Sequence, residues 1–372
     1  MLKIGITGQA GFVGTHLYNT LGLHPEEFER IDFQKFFFDN EAQLDSFVFH
    51  CDVIVHLAAM NRHNDPEVIY ANNVGLVQKL THALIRTNSK AHVLFSSSTQ
   101  EERDNLYGKS KKEGRELMIG WSEKTGGKFT GMIIPNVFGP FGHPNYNSVV
   151  ATFCHKLTHG ETPVIEVDGD MKLIYVGELV AEIIKEIRSG EGNDEVIVPY
   201  TSEAKVSELL AILQGYKKYY QDKGEIPSIN STFELNLFNT FRCYMDIANH
   251  FPVKLVKHID PRGSFVEVIR LGVGGQVSFS TTVSGITRGN HYHTRKIERF
   301  AVIKGKALIQ LRLIGTDEVL DFYLDGAEPS YVDMPIWYTH NIKNIGDEIL
   351  YTNFWINEFY DENDADTYFE NV

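Results

Sequence analysis

The sequence predicts two domains of different class: an α/β domain built on a parallel sheet, then an all-β domain of antiparallel strands. Three observations predict this. The first two-thirds of the chain alternate short apolar runs with amphipathic stretches, the pattern of strands covered by helices on both faces. From about Leu255 the apolar runs become short strands separated by Gly, Asp, Asn and Pro, without helical periodicity. A chain of 372 residues, 42% of them hydrophobic, is long enough for two packed cores.

In order, Leu2–Thr7 reads as a buried strand, and Phe12 to about Leu21 as a helix after a Gly-rich turn. Val53–Ala58 and His92–Ser96 are two more buried strands, Ser110 to about Trp121 a polar-faced helix, and Thr130–Ile134 a further strand. Helical patterning returns at Val149–Thr158, Val176–Ile187 and Lys205–Tyr219. FVEVIR, QVSFSTTV, RFAVIKGKALIQLRL, EVLDFYL and ILYTNFWIN supply the later strands. The boundary falls in the mixed stretch Gln221–Lys254, giving domains 1–245 and 246–372. The acidic run Asp361–Asp366 reads as a solvated tail.

The charge balance narrows the partners. Thirty-five basic residues against 49 acidic give −14, with no long Lys/Arg block. That argues against nucleic acid and against an anionic membrane surface, so an anionic ligand needs a local pocket. The three widely spaced cysteines, Cys51, Cys154 and Cys243, make neither a disulfide framework nor a CxxC metal site. MLKIGITGQAGFVG reads as strand and turn rather than a signal peptide, and no run of 18 apolar residues occurs. A cytoplasmic protein is expected.

Three constellations carry chemistry. In the first, Gly8, Gly11 and Gly14 follow a strand and open a helix. Glycines there let a pyrophosphate approach the backbone and the helix N-terminus, with Phe12 and Val13 in the turn. Asp32, near the end of a second strand, can accept hydrogen bonds from both adenosine ribose hydroxyls, which favours NAD; Arg30 and Lys35 beside it can instead cradle the 2′-phosphate of NADP. In the second, Tyr107 and Lys111 stand one helical turn apart. Lys111 can lower the Tyr107 pKa and hold the nicotinamide ribose, while Tyr107 acts as general acid for carbonyl reduction. A hydroxyl from Ser96–Thr99, with Ser98 the first choice, can hold the substrate oxygen. In the third, His291 and His293 share a strand face, and Glu298 and His340 can converge on them. Three imidazoles and a carboxylate suit a divalent transition metal such as Zn, Fe, Mn or Ni, with Zn the first choice.

TGQAGFVG, VIVHLAA (Val53–Ala59), FSSS (Phe95–Ser98), YGKSK (Tyr107–Lys111) and PNVFGP (Pro135–Pro140) resemble the extended short-chain dehydrogenase/reductases that act on nucleotide sugars. That resemblance implies a Rossmann-type domain, adds Leu57 and Ala58 to the dinucleotide contacts, and makes Asn136 and Asn147 candidate substrate contacts. Sugar-nucleotide 4,6-dehydratases carry an Asp-Glu pair where this chain has Thr99 and Gln100, so dehydration is not expected; Glu101 and Glu102 follow closely. Gly285…His291-x-His293…Glu298…Gly305 and Pro335…His340…Asn344 resemble both motifs of the cupins, double-stranded β-helix barrels, except that Trp337 stands where a Gly is expected.

The whole chain, through PNYNSVVATFC (Pro144–Cys154), DPRGSF (Asp260–Phe265), GNH (Gly289–His291) and DTYF (Asp366–Phe369), resembles the bifunctional epimerase–reductases of capsular polysaccharide synthesis, which form UDP-2-acetamido-2,6-dideoxy-L-talose. This implies C3 epimerisation of a UDP-linked 4-keto-6-deoxy amino sugar in the cupin domain, then NADPH-dependent reduction at C4, by a homodimer. Tyr292, Lys296, Tyr338 and Arg262 are candidate bases at C3 by their nearness to the motifs.

Overall fold

The computed structural model describes residues 1–261 and 263–372, with the backbone alone for 263–265; Arg262 lies outside the described residues. The chain divides into two compact units, 1–152 with 168–206, and 153–167 with 207–372.

The first unit runs β1 (Leu2–Thr7), α1 (Phe12–Leu21), β2 (Phe28–Ile31), α2 (Glu41–His50), β3 (Val53–His56), α3 (Pro66–Arg86), β4 (His92–Ser98), α4 (Leu106–Thr125), β5 (Phe129–Ile134) and β6 (Asn136–Phe138). Then follow α5 (Val149–Thr158), in which the division between units falls, β7 (Asp170–Tyr175), α6 (Val176–Ser189), β8 (Asn193–Ile197) and β9 (Ser202–Lys205). Six strands form one parallel sheet in the order β2-β1-β3-β4-β5-β8. Its central strands β1, β3 and β5 are largely apolar and buried because both faces are covered, while the edge strand β8 (NDEVI) is mostly exposed. Leu17, Leu21, Leu179 and Ile183 pack one face, and Leu44, Phe47, Val77, Leu80 and Trp121 the other. The strand order reverses between β1 and β3, and in such sheets the crevice at the carboxyl ends of those two strands is the ligand site. Thr7 and His56 end the two strands and are joined there, Thr7 Oγ1 to His56 Nδ1, at 2.7 Å. Burial holds the His56 imidazole neutral, its pKa lowered to about 3.

After residues 153–167, the second unit continues with α7 (Val206–Tyr216, its first residue counted with the first unit), α8 (Thr232–Arg242) and α9 (Ile247–His250). The strands that follow are β10 (Val253–Lys254), β11 (Lys257–Asp260), β12 (Gly263–Val266), β13 (Gln276–Thr282), β14 (Thr287–Tyr292), β15 (Glu298–Lys304), β16 (Lys306–Leu313), β17 (Val319–Asp325), β18 (Ser330–Met334), β19 (Tyr338–Asn344), β20 (Leu350–Ile356) and β21 (Tyr368–Phe369). They form a β11-β12 hairpin and two five-stranded sheets, β10-β18-β15-β20-β13 and β17-β16-β19-β14-β21, antiparallel at every pairing. Val302, Ile309, Leu311, Leu324 and Ile342 are among the residues of its core.

The expected boundary after residue 245 and the division by contacts differ, and side chains of the second unit give the reason. Arg299 grips Asp333 with two hydrogen bonds, at 2.7 and 3.0 Å, and Tyr220 donates to the same carboxylate at 2.6 Å. Arg242, on α8, donates to the Tyr220 hydroxyl and to the Met334 carbonyl. All of these side chains are buried, so the helices before residue 245 belong energetically with the strands.

Candidate functional site

The glycine turn sits where β1 enters α1. Gly8 has φ +79°, a conformation that disfavours a side chain, and a Cβ on Gly14 would lie 2.2 Å from the Gly8 carbonyl oxygen. Gly11 caps α1 without a side chain in the way, and its N–H donates to the Gly8 oxygen at 2.9 Å. Phe12 and Val13 start the helix. Leu57 and Ala58 follow β3 against this turn: Leu57 donates to the Thr7 oxygen, and a Cβ on Gly8 would meet the Ala58 nitrogen at 2.9 Å. The elements of a dinucleotide cradle are therefore together. Asp32, just past β2, is exposed and accepts from the Tyr18 hydroxyl at 3.2 Å. Arg30 stacks on the Tyr18 ring at 4.3 Å, and Lys35 is exposed nearby.

Asn105 caps α4 by accepting from Gly108, which starts the helix at Leu106 and puts Tyr107 in its first turn. Ser98, the last residue of β4, is hydrogen-bonded to the Tyr107 side chain. Lys111 is buried and donates to the Ser96 carbonyl at 2.8 Å, with its ammonium 5.9 Å from the centre of the Tyr107 ring. Burial lowers the Lys111 pKa to about 8, opposed by Glu101. Burial and the neighbouring Tyr146 push the Tyr107 phenol up to about 12, with the Ser98 hydrogen bond opposing. Tyr107 is thus a protonated acid at neutral pH. Of the two nearby acids, Glu101 is occupied: it accepts from Ser97 and pairs with Arg115 at 2.7 Å. Glu102 is exposed.

Asn136 is exposed and donates to the Lys172 carbonyl, and Asn147 is exposed. Their neighbour Tyr146, which sequence reasoning passed over, is the one that lies by Tyr107. Its hydroxyl accepts from the Asn61 N–H at 3.1 Å, and Arg62 donates to the carbonyls of Asn145 and Tyr146. Buried Asn73 was missed too. It accepts from Met60 N–H at 2.7 Å and donates to Ser110, which donates to the Tyr107 carbonyl. No spacing signal marks either residue, because both act through contacts distant in sequence.

In the second unit, His291, His293, Glu298 and His340 each offer a ligand atom, all within 4.8 Å of one another. His291 pairs with His340 across β14 and β19, and Glu298 opens β15 opposite. His293 Nε2 and His340 Nε2 each stand 3.1 Å from the same Glu298 oxygen. Beyond one another, these three buried atoms have no hydrogen-bond partner among the described residues. Converging buried donors of this chemistry fit a divalent cation. The other ring nitrogens are held by backbone oxygens, His293 Nδ1 by Asp366 and His340 Nδ1 by Tyr338, which aims the Nε2 atoms inward. Burial and the neighbouring imidazole lower the His291 pKa to about 4.

Asp366 corrects the reading of a solvated acidic tail. It is buried, and its carboxylate accepts from the Thr294, Arg295 and Lys296 N–H groups at 3.0–3.1 Å and from the Thr294 hydroxyl. Trp337 adopts φ +63°, the left-handed conformation that a Gly would serve, and its ring stacks on Tyr292 at 5.6 Å. Two of the base candidates are engaged elsewhere. Lys296 is buried and donates to the Ala365 carbonyl, and Tyr292 lies between Trp337 and Tyr368. Tyr338 is half-buried at the start of β19. Arg262 lies outside the described residues.

Comparison with known proteins places these features in context. The NAD dependent epimerase/dehydratase family matches residues 4–198. The polysaccharide biosynthesis C-terminal domain matches residues 258–368. A relative from Pseudomonas aeruginosa, UDP-2-acetamido-2,6-beta-L-arabino-hexul-4-ose reductase, is 32% identical over 99% of this chain and 98% of its own. Among solved structures, the capsular polysaccharide assembling protein CapF from Staphylococcus aureus is 35% identical, with TM-score 0.64 and full coverage of both chains. RMD from Pseudomonas aeruginosa, solved with NADPH, is 20% identical over 59% of this chain and 83% of its own, with TM-score 0.53, a likeness of fold.

Proposed function

The chain belongs to the NAD dependent epimerase/dehydratase family, and on that premise we propose that it is a bifunctional enzyme of capsule or surface polysaccharide precursor synthesis. Its substrate is a UDP-linked 2-acetamido-2,6-dideoxy-4-hexulose. The rear barrel, residues 246–372, inverts C3, and the front domain, residues 1–245, reduces the C4 ketone. The observation that carries this reading is the juxtaposition of His291, His293, Glu298 and His340 in a chain that also brings Ser98, Tyr107 and Lys111 together.

A ketone at C4 acidifies the C3 hydrogen, because the conjugate base is an enolate. A divalent ion, zinc in our reading, would supply Lewis acidity at this centre when bound. Glu298 and the three histidines would hold the ion, and Asp366 fixes the loop that carries His293. Returning a proton on the opposite face completes the inversion.

In the front domain the reduced nicotinamide supplies hydride to C4. Gly8, Gly11, Phe12, Val13, Gly14, Leu57 and Ala58 cradle the dinucleotide, with Asp32 at its ribose. NADPH is the proposed form, with Arg30 and Lys35 facing its 2′-phosphate; comparing kcat/KM for NADPH and NADH tests this. Tyr107 donates its proton to the ketone oxygen as hydride arrives. Ser98 orients that oxygen, and Lys111 supplies positive charge beside the phenol. Asn136 and Asn147 are proposed sugar-nucleotide contacts. Reduction removes the ketone and so ends exchange at C3.

Incubation in deuterated water without reduced dinucleotide tests the first half. Solvent deuterium is expected at C3 in the wild type and not in His291→Ala. An absence of exchange in the metal-loaded wild type leaves a 4-ketosugar reductase with a structural barrel. We also propose a cytoplasmic homodimer. Supporting the dimer, β13 is the edge of its sheet and exposes Val277 and Phe279, 54% and 71% accessible.

A further inference from the structure

Strand β13 is built the wrong way round for a closed barrel. Its outward positions carry Val277 and Phe279, both exposed, while Gln276, Ser278 and Ser280 alternate with them and are half-buried. A strand whose inner face meets a dry core carries the opposite pattern.

The register shows what the inner face meets. Residues paired across a sheet point to the same side. Gln276 pairs with Ile356, which pairs with Glu298, one of the four clustered donors. Ser278 pairs with Phe354 and through it with Phe300, whose ring lies 5.8 Å from Phe354 and 5.9 Å from the His340 ring. Ser280 pairs with Thr352, which is buried, and whose hydroxyl has no hydrogen-bond partner among the described residues. Two strand spacings separate Gln276 from Glu298, roughly 10 Å.

β13 and β14 follow one another in the chain, joined by residues 283–286, and lie in different sheets. His291 is the half-buried member of the donor cluster and the other three are buried, which puts access on the β14 side. The Gln276 side chain donates to Ser278 at 3.3 Å and accepts from Tyr360 N–H, which aligns it along the strand.

We propose that Gln276, Ser278 and Ser280, with Thr352 behind them, form a hydrogen-bonding rail that holds the polar substituents of the sugar ring against the four-donor centre. The ligand class is a hydroxylated or acetamido-substituted pyranose with no charge on the part facing the rail, because no ionisable side chain is in it. Phe300 and Phe354 supply the apolar floor against which the deoxy carbon packs. The rail rests on the ion-assisted reading of the rear barrel given above.

The test uses full-length protein with cobalt in place of the native metal, titrated with the UDP-linked 4-keto-6-deoxy amino sugar in the absence of dinucleotide. The visible cobalt bands report arrival at the centre without turnover. The wild-type bands are expected to shift and saturate. The double variant Ser278→Ala/Ser280→Ala is expected to bind cobalt in full yet to need at least tenfold more sugar nucleotide, as the loss of two hydrogen bonds implies. Ser278→Thr/Ser280→Thr, which keeps both hydroxyls on a strand, is expected to restore the wild-type titration. Equal half-saturation in the wild type and the Ala variant would overturn the rail and leave the centre's chemistry standing. Wild-type bands that never move would remove the ion-assisted reading, and the rail with it.

Discussion

At Tyr107 burial outweighs the neighbours, and the phenol rises where a lowering by Lys111 was expected. Its phenol is pushed up to about 12 and stays protonated, while the buried Lys111 is lowered to about 8. Tyr107→Phe is therefore expected to lower kcat for C4 reduction by about 10²–10⁴-fold with dinucleotide affinity retained, checked by single-turnover kinetics and a fluorescence titration. Because kcat/KM follows the free enzyme, it is expected to fall as pH rises through about 8 and Lys111 loses its charge; Lys111→Met should abolish that limb. Stability moves the other way. The cost of burying the ammonium is full below about 8 and disappears by about 10.5, so this group adds stability as pH rises between them. His56 acts at the acid end. Its folded pKa of about 3 lies below the ordinary 6.5, so its contribution is full above 6.5 and is lost as pH falls toward 3. His56→Gln is expected to be less stable than wild type at neutral pH and to close that gap near pH 5, read from urea midpoints.

Elements differ in how far their residues announce them. The strand–glycine–helix start was legible to the residue, because turn geometry and helix entry depend on neighbours in sequence: Leu2–Thr7 and Phe12–Leu21 form as expected. The four donors cluster as their spacing suggested, but not through alternation along one strand: β14 stops at Tyr292, so His293 leaves the strand, and Glu298 and His340 come from β15 and β19. Helix α4 begins at Leu106 rather than Ser110, since its start is set by the Asn105 cap, a signal the periodicity does not contain. Asp366 was misread because its partners lie about seventy positions back, and an acidic run looks alike in solvent or in a clasp. Asp366→Ala is expected to weaken metal affinity by about 10–100-fold, measured by chelator competition, as for other residues that brace a ligand. Trp337 is a different case, with left-handed backbone strain of about 1–2 kcal/mol. Burial of its ring on Tyr292 outweighs that, so Trp337→Gly should destabilise the second unit by about 2 kcal/mol in denaturant melts.

For the whole molecule, chemistry on this surface must be local. A net charge of −14 repels anions at long range, so a sugar nucleotide gains little from steering and depends on the donors at the α1 N-terminus and in the barrel. The same charge opposes self-association, so the dimer proposed above needs apolar contact. Phe279→Lys on the open edge of β13 is expected to shift the protein to monomer in sedimentation equilibrium while leaving C4 reduction intact. The Asp366 clasp has a further consequence, for biosynthesis. Its backbone oxygen steadies His293 from 73 positions downstream. A nascent chain still on the ribosome can complete its first sheet long before that strut is translated. Any product that stops short of residue 366 should therefore keep a mature forward pocket and leave the four-donor cluster unbraced.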